Sequence, residues 1–221
     1  MLVALMGAVL GVASGVRHAI EPDHLAAVST FVAEQRSSRA TVAFAAVWGI
    51  GHALMLMVVG GALLFLGRQM PAVLGDVFEL IVAIMLIGLG VRGLLQAVRA
   101  HRGRHHAHPI PLVPRAPTRP THTHVGRPLA VGLVHGLAGS GALTALVISR
   151  MGSPLAGLGF MALYGFGAML GMAMLAGVAG VPLARVVRSP YGMPILLALT
   201  GVVSLVVGAT WGAPLALRML G

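Results

Sequence analysis

The stretch Arg17-His18-Ala19-Ile20-Glu21-Pro22-Asp23-His24 ends a long apolar run and decides how the chain begins to fold. In a straight α-helix, His18, Asp23 and His24 would lie at about 0°, 140° and 240° around the axis and point apart. Pro22 lacks the N–H that would bond to the carbonyl of His18 and clashes with that carbonyl, so it predicts a kink or break. A broken helix would let these side chains converge on one point.

The same residues also fit an ordinary helix boundary. In that interpretation Glu21 or Asp23 caps a following helix, Pro22 occupies its first turn, and the histidines lie at the membrane interface. Inserting an ionisable side chain into a membrane costs free energy, roughly 2.5 to 3.5 kcal/mol for an aspartate at the centre of a span. The concentration of such residues in this segment therefore favours a functional role. His52 strengthens that hypothesis, because it follows Gly49 and Gly51 within a later apolar run, without a charged neighbour.

Composition predicts a membrane protein. The chain of 221 residues is 57% hydrophobic and 9% charged, against roughly 25% charged residues in a typical soluble domain. A soluble protein with a buried helical core is therefore the weaker alternative. The absence of cysteine excludes disulfides and thiolate metal sites.

We predict an all-α, polytopic fold with about six transmembrane helices, the first broken near Pro22. These spans are Leu2–Ile20, Thr41–Leu66, Val77–Val98, Leu129–Ser149, Leu155–Val181 and Pro194–Leu217.

Arginine placement predicts the orientation of these spans. One set of loops carries ten arginines and the opposite set carries three, which by the positive-inside rule puts both termini outside a bacterial cytoplasmic membrane. The first apolar run has no basic residue ahead of it and no convincing cleavage site, so we interpret it as a span rather than a signal peptide. The net charge of +10 thus reflects topology and does not indicate a nucleic-acid partner.

The two halves of the chain resemble each other. Gly15–His18 reads G-V-R-H and Gly132–His135 reads G-L-V-H; Trp48–Gly51 reads W-G-I-G and Tyr164–Gly167 reads Y-G-F-G. Three spans per half place the copies in opposite orientations, as in the inverted repeats of many secondary transporters. If the repeat holds, His135 is the second half's metal ligand; otherwise it donates a hydrogen bond between helices. The predicted organisation is a first three-helix repeat in 1–98, a cytoplasmic loop in 99–128 and a second repeat in 129–221.

Neutral imidazoles with a carboxylate suit a late first-row divalent ion such as Ni²⁺ or Co²⁺. His18, Asp23 and His24 match the H-x-x-x-x-D-H signature of the nickel/cobalt permease family, and G-I-G-H at Gly49–His52 looks like its second motif. With its size and G-L-V-H-G-L-A-G-S-G-A-L-T at Gly132–Thr144, the chain resembles the short, six-span branch that includes urease-accessory nickel permeases. The resemblance implies that His18, Asp23, His24 and His52 bind the translocated metal.

The chain departs from that family at several positions. Glu21 and Pro22 stand where the family commonly has aspartate and small residues, and Ala53 replaces a frequent hydroxyl residue. From Leu129 onward the chain has no aspartate or glutamate, so the later acidic motifs of larger permeases are absent. Glu21 is an accessory candidate that attracts the hydrated ion or accepts protons.

The long loop after the third span is rich in histidine and proline. Such a segment is expected not to fold alone, and histidine tracts chelate borderline metals. We interpret it as a low-affinity metal buffer or, alternatively, as a flexible tether with incidental histidines. The candidate buffer residues are His101, His105, His106, His108, His122 and His124.

The favoured function is potential-driven uptake of Ni²⁺, or of Co²⁺, without a permanently bound cofactor. The chain lacks a phosphate-binding G-x-x-x-x-G-K-[ST] motif, and its few acidic residues argue against an enzyme. Its expected partners are the lipid bilayer, a divalent metal ion and a cytoplasmic nickel chaperone or a urease or hydrogenase maturation protein. The alternatives are a metal exporter of the same fold, a haem-binding electron carrier, and a non-transporting assembly factor for a nickel enzyme.

Overall fold

The computed structural model describes residues 2–34, 38–105, 125–151, 153–186 and 191–220. Within these ranges the chain is helical and contains no strand, which confirms the all-α prediction. A π-helical turn, Leu56–Gly60, joins α3 to α4. The helices are α1 (Leu2–His18), α2 (Pro22–Glu34), α3 (Ser38–Met55), α4 (Gly61–Phe65), α5 (Ala72–His105), α6 (Gly126–Arg150), α7 (Pro154–Val186) and α8 (Gly192–Leu220).

The break predicted at Pro22 is present, because α1 ends at His18 and α2 begins at Pro22. The carbonyl of His18 would normally accept a hydrogen bond from the residue four positions later, but proline has no N–H. It accepts one from the N–H of Glu21 instead, at 3.0 Å. This tighter turn ends α1, and the carbonyl of Glu21 then accepts the first bond of α2 from Leu25.

Five of the described helical segments are long and apolar enough to cross a membrane. They correspond to the second to sixth predicted spans. The first predicted span, Leu2–Ile20, is not among them: α1 has 17 residues, and a helix of that length extends about 25 Å, short of the roughly 30 Å hydrocarbon layer. The five segments are Arg39–Phe65, Ala72–His101, Gly126–Val147, Pro154–Val178 and Gly192–Leu220.

Polar and apolar side chains are distributed as expected for a protein dissolved in lipid. Large apolar side chains cover the outer surface, among them Phe65, Ile84 and Leu199. In contrast, several histidines, serines and threonines are fully buried. A soluble monomer rarely exposes such extensive apolar surface. The chain is therefore a multi-pass membrane protein.

Close helix pairs hold the bundle together. α1 packs along α7, α3 packs against both α6 and α7, and α5 packs along α8. Glycine is needed where α1 meets α7, because a Cβ atom on Gly15 would overlap the carbonyl oxygen of Tyr164 and approach the backbone nitrogen of Ala168 to 2.7 Å. Small residues at such positions let membrane helices approach to backbone contact. The α1–α7 contact positions the end of α1, where His18 lies.

We expect Gly15→Ala to destabilise the protein, because the added methyl group pushes α1 away from α7. Overpacking of this kind costs typically about 1 to 3 kcal/mol. Gly7→Ala is the matched control in the same helix, since no atom lies within 4 Å of the position of its Cβ. Thermal unfolding in detergent checks the difference: a lower melting temperature is expected for Gly15→Ala alone, and equal melting temperatures would contradict the close contact.

The fifth helix extends further than predicted. α5 continues past Val98 to His105, so the first residues of the predicted loop are helical and His101 is exposed near the end of that helix. α6 then begins at Gly126. Of the predicted metal-buffer residues, His106, His108, His122 and His124 lie outside the described residues.

Candidate metal centre

Five of the predicted site residues lie together in the interior of the bundle. Four helices contribute them: α1 supplies His18, the first turn of α2 supplies Asp23 and His24, α3 supplies His52, and α6 supplies His135. His24 and His52 are completely buried, and the other three are at most 8% exposed. Residues that are far apart in sequence therefore form one buried polar cluster.

The break between α1 and α2 allows His18 and His24 to face each other. Their ring centroids are 4.4 Å apart, although a straight helix would turn the two side chains to different sides. His52 completes a triangle with its ring centroid 5.2 Å from each of them. The ring of His135 lies against His24, at 4.2 Å. His24 is thus central to the cluster.

Two carboxylates hold three of these rings by hydrogen bonds. Asp23 lies between two imidazoles, with Oδ1 3.0 Å from Nδ1 of His24 and Oδ2 2.7 Å from Nε2 of His135. Glu21 Oε2 lies 2.9 Å from Nδ1 of His18. An ionised carboxylate can only accept hydrogen bonds, so each of these ring nitrogens donates.

The opposite nitrogens of the same rings have no hydrogen-bond partner. They are Nε2 of His18, Nε2 of His24 and Nδ1 of His135, and neither nitrogen of His52 has a partner. A neutral imidazole that donates from one nitrogen carries a lone pair on the other. Buried polar atoms are almost always paired, so an unpaired group needs an explanation such as an ion. Four buried lone pairs without partners are typical of a metal site.

The spacing of these atoms suits a single cation. His18, His24 and His52 each offer a ligand atom, and these atoms all lie within 4.8 Å of one another. Asp23, His24 and His135 form a second such group. Imidazole-rich sites bind late first-row ions, whereas Mg²⁺, Ca²⁺ and Mn²⁺ prefer oxygen ligands. The donor set therefore fits a borderline divalent ion.

A cavity of about 870 Å³ borders the cluster. His18, Asp23, His24 and His135 line it, whereas His52 is not among its lining residues. Four charged side chains from α1, the α1–α2 turn, α5 and α8 also line the cavity, and they are Arg17, Glu21, Glu79 and Arg218. A hydrated ion can therefore approach the cluster through a cavity that carries charged side chains among apolar ones.

Sequence reasoning did not assign two aromatic residues to the site. The ring of Trp48 stacks on His24 at a centroid distance of 5.7 Å, and that of Tyr164 lies 5.4 Å from His18. The available signal was the repeat, in which these two aromatics stand at matching positions. An aromatic residue in an apolar span is ordinarily a packing residue, and the repeat alone did not indicate contact with the histidines.

A helical bundle with a lipid-facing apolar surface and a buried cluster of imidazoles defines a multi-pass membrane protein with a candidate metal centre. Over 206 residues the chain is 30% identical to the urease accessory protein UreH of Bacillus sp. (strain TB-90), an alignment that covers 90% of this chain and 87% of that protein. The chain belongs to the UreH family of urease accessory proteins. This family is one of accessory proteins rather than enzymes, as expected for the chain. No family model and no solved structure matches the chain.

Proposed function

We propose that this protein carries nickel ions across the bacterial cytoplasmic membrane, with cobalt as a second substrate. The observation that carries the proposal is the buried group of ring nitrogens without partners on His18, His24 and His52, of which His18 and His24 line a cavity. Intramembrane ionisable residues commonly mark an ion pathway. The UreH relationship supports a nickel-related role.

The proposed topology has six membrane segments, the first of which consists of α1 and α2 together. The packing of α2 within the bundle supports this. The hydroxyl of Thr30 lies 2.9 Å from that of Ser204 in α8, and Ser204 also donates to the carbonyl of Ala26 at 3.2 Å. Discontinuous helices at a central ion site are a recurring feature of secondary transporters.

Matching helix contacts support an inverted repeat in which α1 and α2 correspond to α6, and α3 corresponds to α7. A Cβ atom on Gly15 would overlap the carbonyl oxygen of Tyr164, and one on Gly132 would overlap that of Trp48. Each glycine stands at the position equivalent to the other, and so does each aromatic residue. The same contact between the proposed halves therefore occurs twice, with the glycine and the aromatic residue exchanged between the halves.

The histidines of the cluster follow the same relation. The ring centroids of His18 and Tyr164 are 5.4 Å apart, and those of His135 and Trp48, their equivalents, are 5.5 Å apart. Transporters with inverted repeats place the substrate at the interface between the repeats. The location of the cluster between the proposed halves is consistent with that arrangement.

We propose inward transport, with both termini outside. An inside-negative potential favours inward movement of a dication by about 4.6 kcal/mol per 100 mV, twice the single-charge value. This driving force needs no second ion. In this scheme the loop histidines and a cytoplasmic nickel chaperone or maturation protein receive the ion inside.

Radionickel uptake into liposomes that contain only this protein tests the proposal. We expect uptake to exceed that of protein-free liposomes and to increase severalfold when a potassium diffusion potential makes the interior negative. Collapsing the potential in the same preparation is the control. Uptake equal to that of protein-free liposomes would contradict transport, and uptake that is indifferent to the potential would contradict the proposed driving force.

A further inference from the structure

We infer that the transported cation is held by imidazole nitrogens alone, and that Asp23 positions two of these imidazoles without touching the ion. This inference rests on the proposed function and specifies the ligands of the same site. The alternative is a site in which a carboxylate oxygen of Asp23 binds the metal directly.

The pattern of hydrogen bonds favours ligation by imidazole nitrogens alone. Both oxygens of Asp23 already accept hydrogen bonds, one from His24 and one from His135. These bonds account for the proximity of the Asp23, His24 and His135 group. The group that keeps free lone pairs is that of His18, His24 and His52, with Nδ1 of His135 as a fourth nitrogen beside His24.

Each carboxylate determines which nitrogen of its imidazole is free. Because Asp23 accepts from Nδ1 of His24, the lone pair of that ring is on Nε2; because it accepts from Nε2 of His135, the lone pair of that ring is on Nδ1. Glu21 has the same effect on His18. Carboxylates behind ligating histidines commonly fix the ring orientation and tautomer in this way. They also place negative charge beside a cation that has only neutral ligands.

Asp23 accepts hydrogen bonds from two imidazoles and Glu21 from one. Replacing each carboxylate by the corresponding amide therefore gives a matched pair of variants. Asn at position 23 has one oxygen, so it can accept a hydrogen bond from only one of the two imidazoles, His24 or His135. The other imidazole faces the amide N–H and must accept from it with its ring lone pair. That lone pair is then no longer available to the metal. Gln at position 21 has one oxygen for the single ring of His18, so it can keep the same tautomer. Glu21 is also half-exposed, and the Gln variant is expected to fold.

Nickel K-edge X-ray absorption on the full-length protein with one equivalent of Ni²⁺ tests this assignment. We expect four imidazole rings, those of His18, His24, His52 and His135, and no carboxylate ligand in the wild type. Asp23→Asn should show one ring fewer and a dissociation constant raised roughly 10- to 100-fold, whereas Glu21→Gln should keep the ring count.

A carboxylate ligand in the wild-type spectrum, or an unchanged ring count in folded Asp23→Asn, would overturn the assignment and leave nickel transport standing. If Asp23→Asn does not fold, the wild-type spectrum decides alone. A wild-type protein that binds no nickel would overturn the proposed function and this assignment together.

Discussion

His24→Ala is expected to lower the affinity for nickel by at least about 100-fold. Loss of a group that only hydrogen-bonds a metal ligand already lowers metal affinity about 10- to 100-fold, and His24 is itself a proposed ligand. The ring of His24 lies within 5.2 Å, centroid to centroid, of His18, His52 and His135. It is also completely buried, so its removal takes one nitrogen ligand from the centre of the cluster. Equilibrium dialysis with radionickel measures the effect.

His101→Ala is the control for this prediction, because it removes an exposed imidazole near the end of α5 that is a candidate only for low-affinity binding and belongs to neither group of possible metal ligands in the cluster. We expect its affinity to equal that of the wild type within error. A His24→Ala protein that is folded, as judged by its melting temperature, and still binds nickel with wild-type affinity would contradict the central role of His24.

Nickel uptake is expected to be insensitive to a hundredfold excess of Mg²⁺ but strongly reduced by an equal concentration of Co²⁺ or Zn²⁺. Nitrogen ligands bind late first-row ions far more tightly than they bind Mg²⁺, which retains water and prefers carboxylate oxygens. Competition during the first seconds of uptake into proteoliposomes measures this selectivity.

The alternative to selectivity by imidazoles is selectivity by the carboxylates that line the cavity. Glu21 and Glu79 line it, and carboxylates at the entrance alone would attract Mg²⁺ and Ni²⁺ equally as dications. Inhibition by Mg²⁺ in proportion to its concentration would therefore indicate that oxygen ligands in the cavity determine selectivity, and would contradict an imidazole site.

Local signals predicted the first part of the site well. The effect of Pro22 on the helix depends only on its missing N–H and its ring, so the break before α2 was predictable from the sequence. The ligand candidates of this segment and of His52 could be proposed because polar groups are costly in a membrane and stand out in apolar sequence.

Contacts between residues that are far apart in the sequence were harder to predict. The repeat indicated His135 as a candidate, but nothing in the sequence predicted its bond to Asp23, because the two residues meet only through the packing of α6 against α3 in the folded bundle. The end of α1 was also predicted two residues too late, because the composition of the span does not show where the helix ends, and α1 ends at His18 rather than at Ile20. Hydropathy also does not determine how far α5 extends beyond the membrane.

The most direct test of the central claim, that nickel crosses the membrane through the histidine cluster, is the initial rate of radionickel uptake. Wild type and His24→Ala are compared in proteoliposomes matched for protein content and orientation, under the same inside-negative potential. We expect wild-type uptake well above that of protein-free liposomes and a His24→Ala rate equal to theirs. Equal rates for the two proteins would contradict passage of the ion through this cluster.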